Sequence, residues 1–392
     1  MRIRLTTLFN DFFSSEKTGG ILLIGCTIVS MVIANSSFGA GYLDFWHHSI
    51  GFNIGSIDLH HPVEYWVNDG LMAIFFLMIG LEIERELYAG ELSNFRNALL
   101  PVFAAMGGML TPALFHFVFN YGTASQAGIG IPMATDIAFA LGILSLLGNK
   151  VPASLKIFLT ALAIIDDLGA IIVIAVFYTK GFSLLYFGIS MGIFGGLLVL
   201  NRAKVHHLVF YIIPGIVMWY CMLKSGVHAT VSGILLAFAI PFGDGGKQSP
   251  SYKLQHFLHR PVAFIILPIF ALANTGIIFA ADWYKGFSTK NAIGILSGLI
   301  LGKPLGILLF SWAAIKMRIS HLPADINWRH VTGAGILAGI GFTMSIFITL
   351  LAFDDAEMIT DSKIAVLTSS VVAGLAGFIF LKLAGPAKLR KS

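Results

Sequence analysis

The stretch from Lys156 to Ile171, KIFLTALAIIDDLGAI, constrains the rest of the chain. It is an apolar run long enough to lie in a membrane, and it carries two adjacent carboxylates, Asp166 and Asp167, near its middle. The alternative, a helix end at the interface, is opposed by the apolar residues that continue beyond the pair to Phe177. An ionised Asp at a bilayer centre costs at least ~2.5–3.5 kcal/mol on insertion scales, so such residues line a bundle interior or a water-filled cavity. Two in succession need neighbours that make them tolerable.

Composition fixes the class. Of the 392 residues, 57% are hydrophobic and 11% charged, where a soluble domain carries roughly 25% charged residues. The apolar runs are continuous and near span length, not short and alternating, which argues for an α-helical polytopic membrane protein over a β-barrel. Twelve spans are expected, at roughly 18–34, 66–88, 98–119, 128–148, 153–178, 182–200, 205–222, 226–241, 257–279, 291–315, 329–351 and 364–384. Cys26 and Cys221 both fall inside apolar runs and read as small core residues. The first apolar run follows a stretch containing Asp11 and Glu16, and reads as a signal-anchor helix, not a cleaved signal.

The net charge of +5 does not point to nucleic acid, because the basic residues follow a topological pattern. One side of the twelve-span arrangement collects Arg2, Arg4, Lys17, Arg85, Arg96, Lys150, Lys156, Arg202, Lys204, Lys247, Lys253, Arg260, Lys316, Arg318, Arg329, Lys382, Lys388, Arg390 and Lys391. The other side has only Lys180, Lys224, Lys285, Lys290 and Lys363, and Lys303 lies inside span ten. Positive residues concentrate on the cytoplasmic side, so both termini are expected there.

The connection from Asn35 to Tyr65 lies on the outer side and contains no Lys or Arg. Within it, Ser49–Ile54 and Ile57–His60 flank Gly55-Ser56, the pattern of a hairpin with a II′ turn. Free hairpin edges invite pairing with a second copy, which makes a homodimer through this element an expectation; a mobile loop is the alternative.

Two further charges lie mid-span. In span four, GIGIPMATDIAFALGILSLLG, Pro132 tends to break the helix, and Thr135 and Asp136 follow within a turn. Asp136 is open to two roles, a counter-charge for exposed helix N-termini or a third ion ligand. In span ten, Lys303 precedes Pro304 and needs a carboxylate or helix C-terminal carbonyls as partner. Snorkelling to an interface is disfavoured by its depth in the run. Adjacent helical residues point about 100° apart, so one of Asp166 and Asp167 can face Lys303 while the other faces a cavity. Span eleven, GAGILAGIGFTMSIFI, offers a second interruption at Gly339, Gly341 and Thr343. Glycines here also serve close packing, but a pair of interrupted segments points to a midplane binding site.

At the basic side, span two ends GLEIEREL, with Glu82 and Glu86 one turn apart beside Glu84 and Arg85. Lys253, His256 and His259 lie on the same side, and His228 opens span eight from the other. Histidines near acids can titrate around neutrality; a plain solvated helix end is the alternative.

At these residues the chain resembles the NhaA family of sodium/proton antiporters over nearly its full length. The matching stretches are FFSS with GGI near the N-terminus, NDGLMAIFFLMIGLEIEREL, PMATDIAFALGIL, KIFLTALAIIDDLGAI, KSGVHATVSG, GKPLGI and AGIGFTMSIFI. Members of this family are known examples of inverted repeats and broken helices, so that architecture comes with the resemblance. It implies a single transporter domain with core repeats at about 98–178 and 291–384, broken helices four and eleven crossing at the midplane, and an interface region at about 205–279 plus the outer hairpin at about 49–60. It also implies an Na⁺ and proton site at Asp166 and Asp167 with Thr135 near the ion, and Asp136 and Lys303 balancing the helix ends. Asp69 matches an outer-side functional carboxylate. Glu16, Glu82, Arg85, Glu86, His256 and His228 become candidates for pH sensing. Two positions depart from the expected pattern: Gln255 stands for an acidic residue, and Glu84 for a basic one.

The expectation is an electrogenic, pH-regulated antiporter of the bacterial inner membrane. It exports Na⁺, and by the same chemistry Li⁺, for about two protons each, with lipid as its surroundings and no organic cofactor. Na⁺ prefers hard oxygen ligands, and carboxylates that bind either a proton or Na⁺ supply exchange by competition. Two rivals carry less. An Na⁺-coupled organic solute symporter needs polar substrate contacts beyond the ion site. An intramembrane aspartyl protease needs two Asp facing each other across a water, whereas Asp166 and Asp167 point apart.

Overall fold

The apolar runs fold as helices. The computed structural model describes residues 2–51, 53–54, 57–279 and 282–385, with side chains described except at 2–17, 53–54, 57–58, 91, 95–96 and 149. In chain order the helices are α1 (Arg2–Ala34), α2 (Gly39–His47), α3 (Val63–Tyr88), α4 (Phe95–Asn120), α5 (Ile137–Leu146), α6 (Ala153–Phe177), α7 (Leu184–Arg202), α8 (Val209–Lys224) and α9 (Val231–Ala239). They continue with α10 (Pro250–Asn274), α11 (Lys290–Lys316), α12 (Trp328–Ala338), α13 (Phe342–Ala352) and α14 (Ala356–Ala384). A 3-10 segment, Ala124–Met133, leads into α5.

Among the described residues, seven helices are long and apolar enough to cross a membrane, or up to ten if each bent pair is one span. Two of the bends are mild, 42° between Ala124–Met133 and α5 and 45° between α12 and α13. The third, 113° between Thr18–Ala34 and α2, turns the chain aside ahead of the hairpin. Helix α9, inside the expected span at 226–241, has only nine residues. At 1.5 Å per residue it covers about 14 Å, half a hydrocarbon core.

Polarity is inverted relative to a soluble protein. Val371, Leu375 and Ile379 on α14 and Val209, Ile213 and Ile216 on α8 are exposed, each set repeating at helical spacing, while Asp136, Asp166, Asp167 and Lys303 are buried. Lipid, not water, suits such a surface. The chain is therefore an all-helical multi-span membrane protein with a small two-strand element.

That element is antiparallel. Ser49–Ile50 (β1) pairs with His61–Pro62 (β4), and Asn53–Ile54 (β2) pairs with Ile57–Asp58 (β3), so the expected hairpin register holds. The turn itself, Gly55-Ser56, lies outside the described residues.

The described residues fall into two compact units, one within 1–22, 90–173 and 280–392, the other within 23–89 and 174–279. In the first, α4 and α11 touch backbone to backbone. A Cβ on Gly306 would lie 2.0 Å from the Gly107 carbonyl oxygen, and one on Gly302 would lie 2.9 Å from Pro112 Cα. Both glycines are needed for that approach. Helix α11 also widens into a π-turn at Gly298–Gly302, immediately before Lys303. Pro304 explains it: proline has no N–H for the carbonyl of Ile300 and its ring crowds that oxygen. The π-turn Val262–Ile266 of α10 stands in the same relation to Pro268.

Candidate functional site

Two chain breaks in the first unit form the centre. Before α5, Ala134 and Asp136 are extended, at ψ 153° and 101°. Pro132 stands at the end of the 3-10 segment, where a helix cannot simply continue. The second break, between α12 and α13, falls at Gly339-Ile340-Gly341. The breaks pair with each other: Asp136 N–H donates to the Ile340 carbonyl at 2.7 Å, and Ser345 Oγ donates to the Ile131 carbonyl at 2.6 Å.

Three of the ends at the two breaks meet an opposite charge, and the fourth, at Ala338, meets the Thr135 hydroxyl. Asp136 is the N-cap of α5, its Oδ1 accepting from Phe139 N at 2.9 Å. Its Oδ2 accepts from Thr343 N at 3.1 Å and Thr343 Oγ1 at 2.5 Å, at the start of α13. One carboxylate thus serves two helix N-termini, where negative charge is favoured. Lys303 Nζ donates to the carbonyl of Met133, the last residue of the 3-10 segment, where a cation is favoured.

Lys303 has a second partner. Its Nζ lies 2.6 Å from Asp166 Oδ2, and both side chains are fully buried. Thr135 Oγ1 lies 2.7 Å from the same Oδ2 and 2.9 Å from the Ala338 carbonyl. Asp166 Oδ1 has no hydrogen-bond partner among the described residues. Asp167, next on α6, is 1% exposed. A buried carboxylate without enough partners costs several kcal/mol. Three carboxylates, Asp136, Asp166 and Asp167, are buried in this unit together with one ammonium, Lys303. Carboxylate and hydroxyl oxygens are ligands that suit protons or a small hard cation.

The other expected residues lie elsewhere. Asp69 belongs to the second unit, in the π-turn Trp66–Leu71 of α3, where its backbone carbonyl accepts from Trp219 Nε1 at 3.1 Å. At the C-terminal end of α3, Arg85 lies 3.8 Å from Glu82 and 3.5 Å from Glu86. Glu84 is buried on the same turn and accepts from Ser251 Oγ at 3.0 Å. The departure at Glu84 is therefore accommodated by a neutral hydroxyl. His256 is exposed and stacks on Tyr252, ring centroids 6.0 Å apart. Gln255 is half-buried. His228 precedes α9, its Nε2 3.0 Å from the Tyr178 carbonyl. Glu16 lies in α1, its side chain outside the described set. Cys26 and Cys221 are both free thiols.

Helix C-terminal carbonyls are among the partners expected for Lys303, and Met133 supplies one; the Thr343 side chain as partner of Asp136, and the Ser345 bond to Ile131, are not part of that expectation. The signal for Thr343 was present: a hydroxyl residue just after the Gly339-Ile340-Gly341 break stands where a helix begins.

Two interrupted helices that meet beside buried carboxylates and a buried ammonium are the arrangement of a secondary transporter's midplane site. The Na⁺/H⁺ antiporter 1 family model matches residues 10–381. The chain is 60% identical to Na⁺/H⁺ antiporter NhaA of Dechloromonas aromatica over 382 residues, 96% of each chain. It is 58% identical to Na⁺/H⁺ antiporter NhaA 1 of Flavobacterium johnsoniae, covering 97% of this chain and 98% of the relative. With NhaA of Escherichia coli O1:K1 the identity is 46%, over 95% and 97% of the two chains. The chain belongs to the Na⁺/H⁺ antiporter 1 family.

Proposed function

We propose that this chain exchanges Na⁺ for protons across the bacterial cytoplasmic membrane, with Asp166 and Asp167 as the shared site. The observation that carries the site assignment is the buried Asp166–Lys303 pair beside an uncapped carboxylate oxygen, held between two broken helices. The antiporter names of its full-length relatives support the exchange itself. Na⁺ and Li⁺ are both hard cations that suit carboxylate and hydroxyl oxygens.

Thr135 links the two loaded states. Its hydroxyl has one hydrogen and two acceptors within reach, Asp166 Oδ2 and the Ala338 carbonyl. With Asp166 ionised the hydrogen serves the carboxylate. Once Asp166 is protonated or ligates Na⁺, the hydrogen can serve Ala338 and free a lone pair for the site. Two protons displaced per Na⁺ would make the cycle electrogenic, so an inward-negative potential drives Na⁺ out.

The same reading extends to topology and regulation. The ten spans with bent pairs counted once, plus α8 and the short α9, give twelve, with both termini cytoplasmic and repeats of inverted topology. Glu82, Arg85 and Glu86, with His256, Glu16 and His228, form the pH-responsive set; Gln255 and Glu84 alter its charge. Asp69 acts on the outer side. Two copies join edge to edge through the hairpin β1–β4, whose free edges favour such pairing. Deleting residues 52–59 is expected to leave folded monomers on gel filtration; an unchanged dimer population rejects this contact.

The exchange is tested in everted vesicles from a host without its own antiporters. Respiration acidifies the lumen and Na⁺ is added at several pH values. The expected result is that Na⁺ collapses the gradient with the wild type and not with Asp167→Asn. Substantial Na⁺-dependent proton movement in the variant would refute the site.

A further inference from the structure

Asn120, the last residue of α4, is fully buried at a meeting point of three chain segments. Its Nδ2 donates to the carbonyl of His116 at 2.9 Å and to that of Lys290 at 3.1 Å. Its Oδ1 accepts from Ser125 Oγ at 2.6 Å. Lys290 opens α11, the helix that carries Lys303. Ser125 lies in the 3-10 segment that ends at Met133, whose carbonyl receives the Lys303 ammonium. Asn120 therefore ties together the two segments that supply donor and acceptor of one buried bond.

A second string reinforces the tie. Ser362 Oγ donates to the Met358 carbonyl at 2.7 Å and accepts from Asn291 Nδ2 at 2.7 Å. That orientation turns Asn291 Oδ1 to His116 Nε2, 3.1 Å away, so Nε2 carries the hydrogen. The string runs in one direction from α4 through the start of α11 to α14, and every side chain in it is buried. His116 Nδ1 has no hydrogen-bond partner among the described residues, but the directed bonds from Nε2 onward restrict how the three elements they join can stand.

We propose that Asn120, with Ser125 and the His116–Asn291–Ser362 string, is a positioning hub that sets Lys303 against Met133 and Asp166 and thereby tunes the affinity of the ion site. Asn120 touches neither ion. It acts by fixing where α11 and the 3-10 segment stand relative to each other, and rests on the exchange function above. Small displacements of groups that hold a reacting centre are costly even from a distance.

The test uses the full-length protein in proteoliposomes, with Na⁺-driven proton movement read as apparent KM, maximal rate and pH profile. The variants are Ser125→Ala, Ser125→Thr, Asn120→Ala and the Ser125→Ala/Asn120→Ala double, each first shown to be folded by gel filtration. The expected result is an apparent KM for Na⁺ raised about five- to tenfold in Ser125→Ala and Asn120→Ala. The pH profile should move with it and the maximal rate should be largely kept. Ser125→Thr, which retains the hydroxyl, should match the wild type, and the double should be no worse than Asn120→Ala. Unchanged KM and pH profile in folded Ser125→Ala, or equal impairment in Ser125→Thr, overturns the hub. A wild type that moves no protons on Na⁺ addition overturns the exchange function, and the hub with it; a working wild type with unaffected variants overturns the hub alone.

Discussion

Asp166→Asn is expected to lose exchange and about 3–5 kcal/mol of stability, because it strands the Lys303 ammonium in the interior. The two side chains are fully buried and 2.6 Å apart, so neither can relax into solvent. The Met133 carbonyl offers Lys303 a dipole but no charge. The informative variant is the double, Asp166→Asn with Lys303→Met. Replacing a whole buried pair with neutral groups of similar volume is often neutral or stabilising. The double should therefore recover most of the thermal stability lost in the single while exchange stays absent. Thermal unfolding in detergent, read beside proton movement in vesicles, checks both halves. A double as unstable as the single would mean that the pair holds the fold by some other route.

Asp136→Ala should be the second large effect, this time on structure. It removes the acceptor for Phe139 N, Thr343 N and the Thr343 hydroxyl together. A lost N-cap costs about 0.5–2 kcal/mol and a buried donor left unpaired about 1–3 kcal/mol, so a loss of about 2–5 kcal/mol is expected. Asp136→Asn keeps an acceptor oxygen and should cost less. Thermal unfolding of the two variants ranks them. If Ala and Asn are equally mild, Asp136 is not the cap that joins the two breaks.

The charged residues of this centre were legible from the chain because each violates the apolar rule of a span. Asp136, Asp166, Asp167 and Lys303 stand out against their neighbours, and Pro132 and Gly339 mark where helices cannot run straight. Their pairing was only partly legible. That Lys303 meets a carboxylate or helix C-terminal carbonyls follows from need, and it meets both; which of two adjacent Asp it meets depends on the rotation of α6 about its axis. The cap from Asp136 to Thr343 joins residues 207 positions apart, and no local propensity encodes it. The Asn120 tie was invisible for the same reason: Asn at a helix C-terminus before Tyr121-Gly122 reads as an ordinary helix stop. The expected spans at 205–222 and 226–241 were traced from hydropathy alone, which does not register that α9 contributes only nine helical residues.

The central claim is that one buried site holds either protons or Na⁺. The most direct measurement is proton release from the purified protein in weakly buffered detergent as Na⁺ is titrated in at a pH where exchange is active. Competition predicts that protons leave in proportion to Na⁺ bound, approaching two per ion, and that Asp167→Asn releases none. Saturable Na⁺ binding with no proton release from the wild type would contradict a shared site.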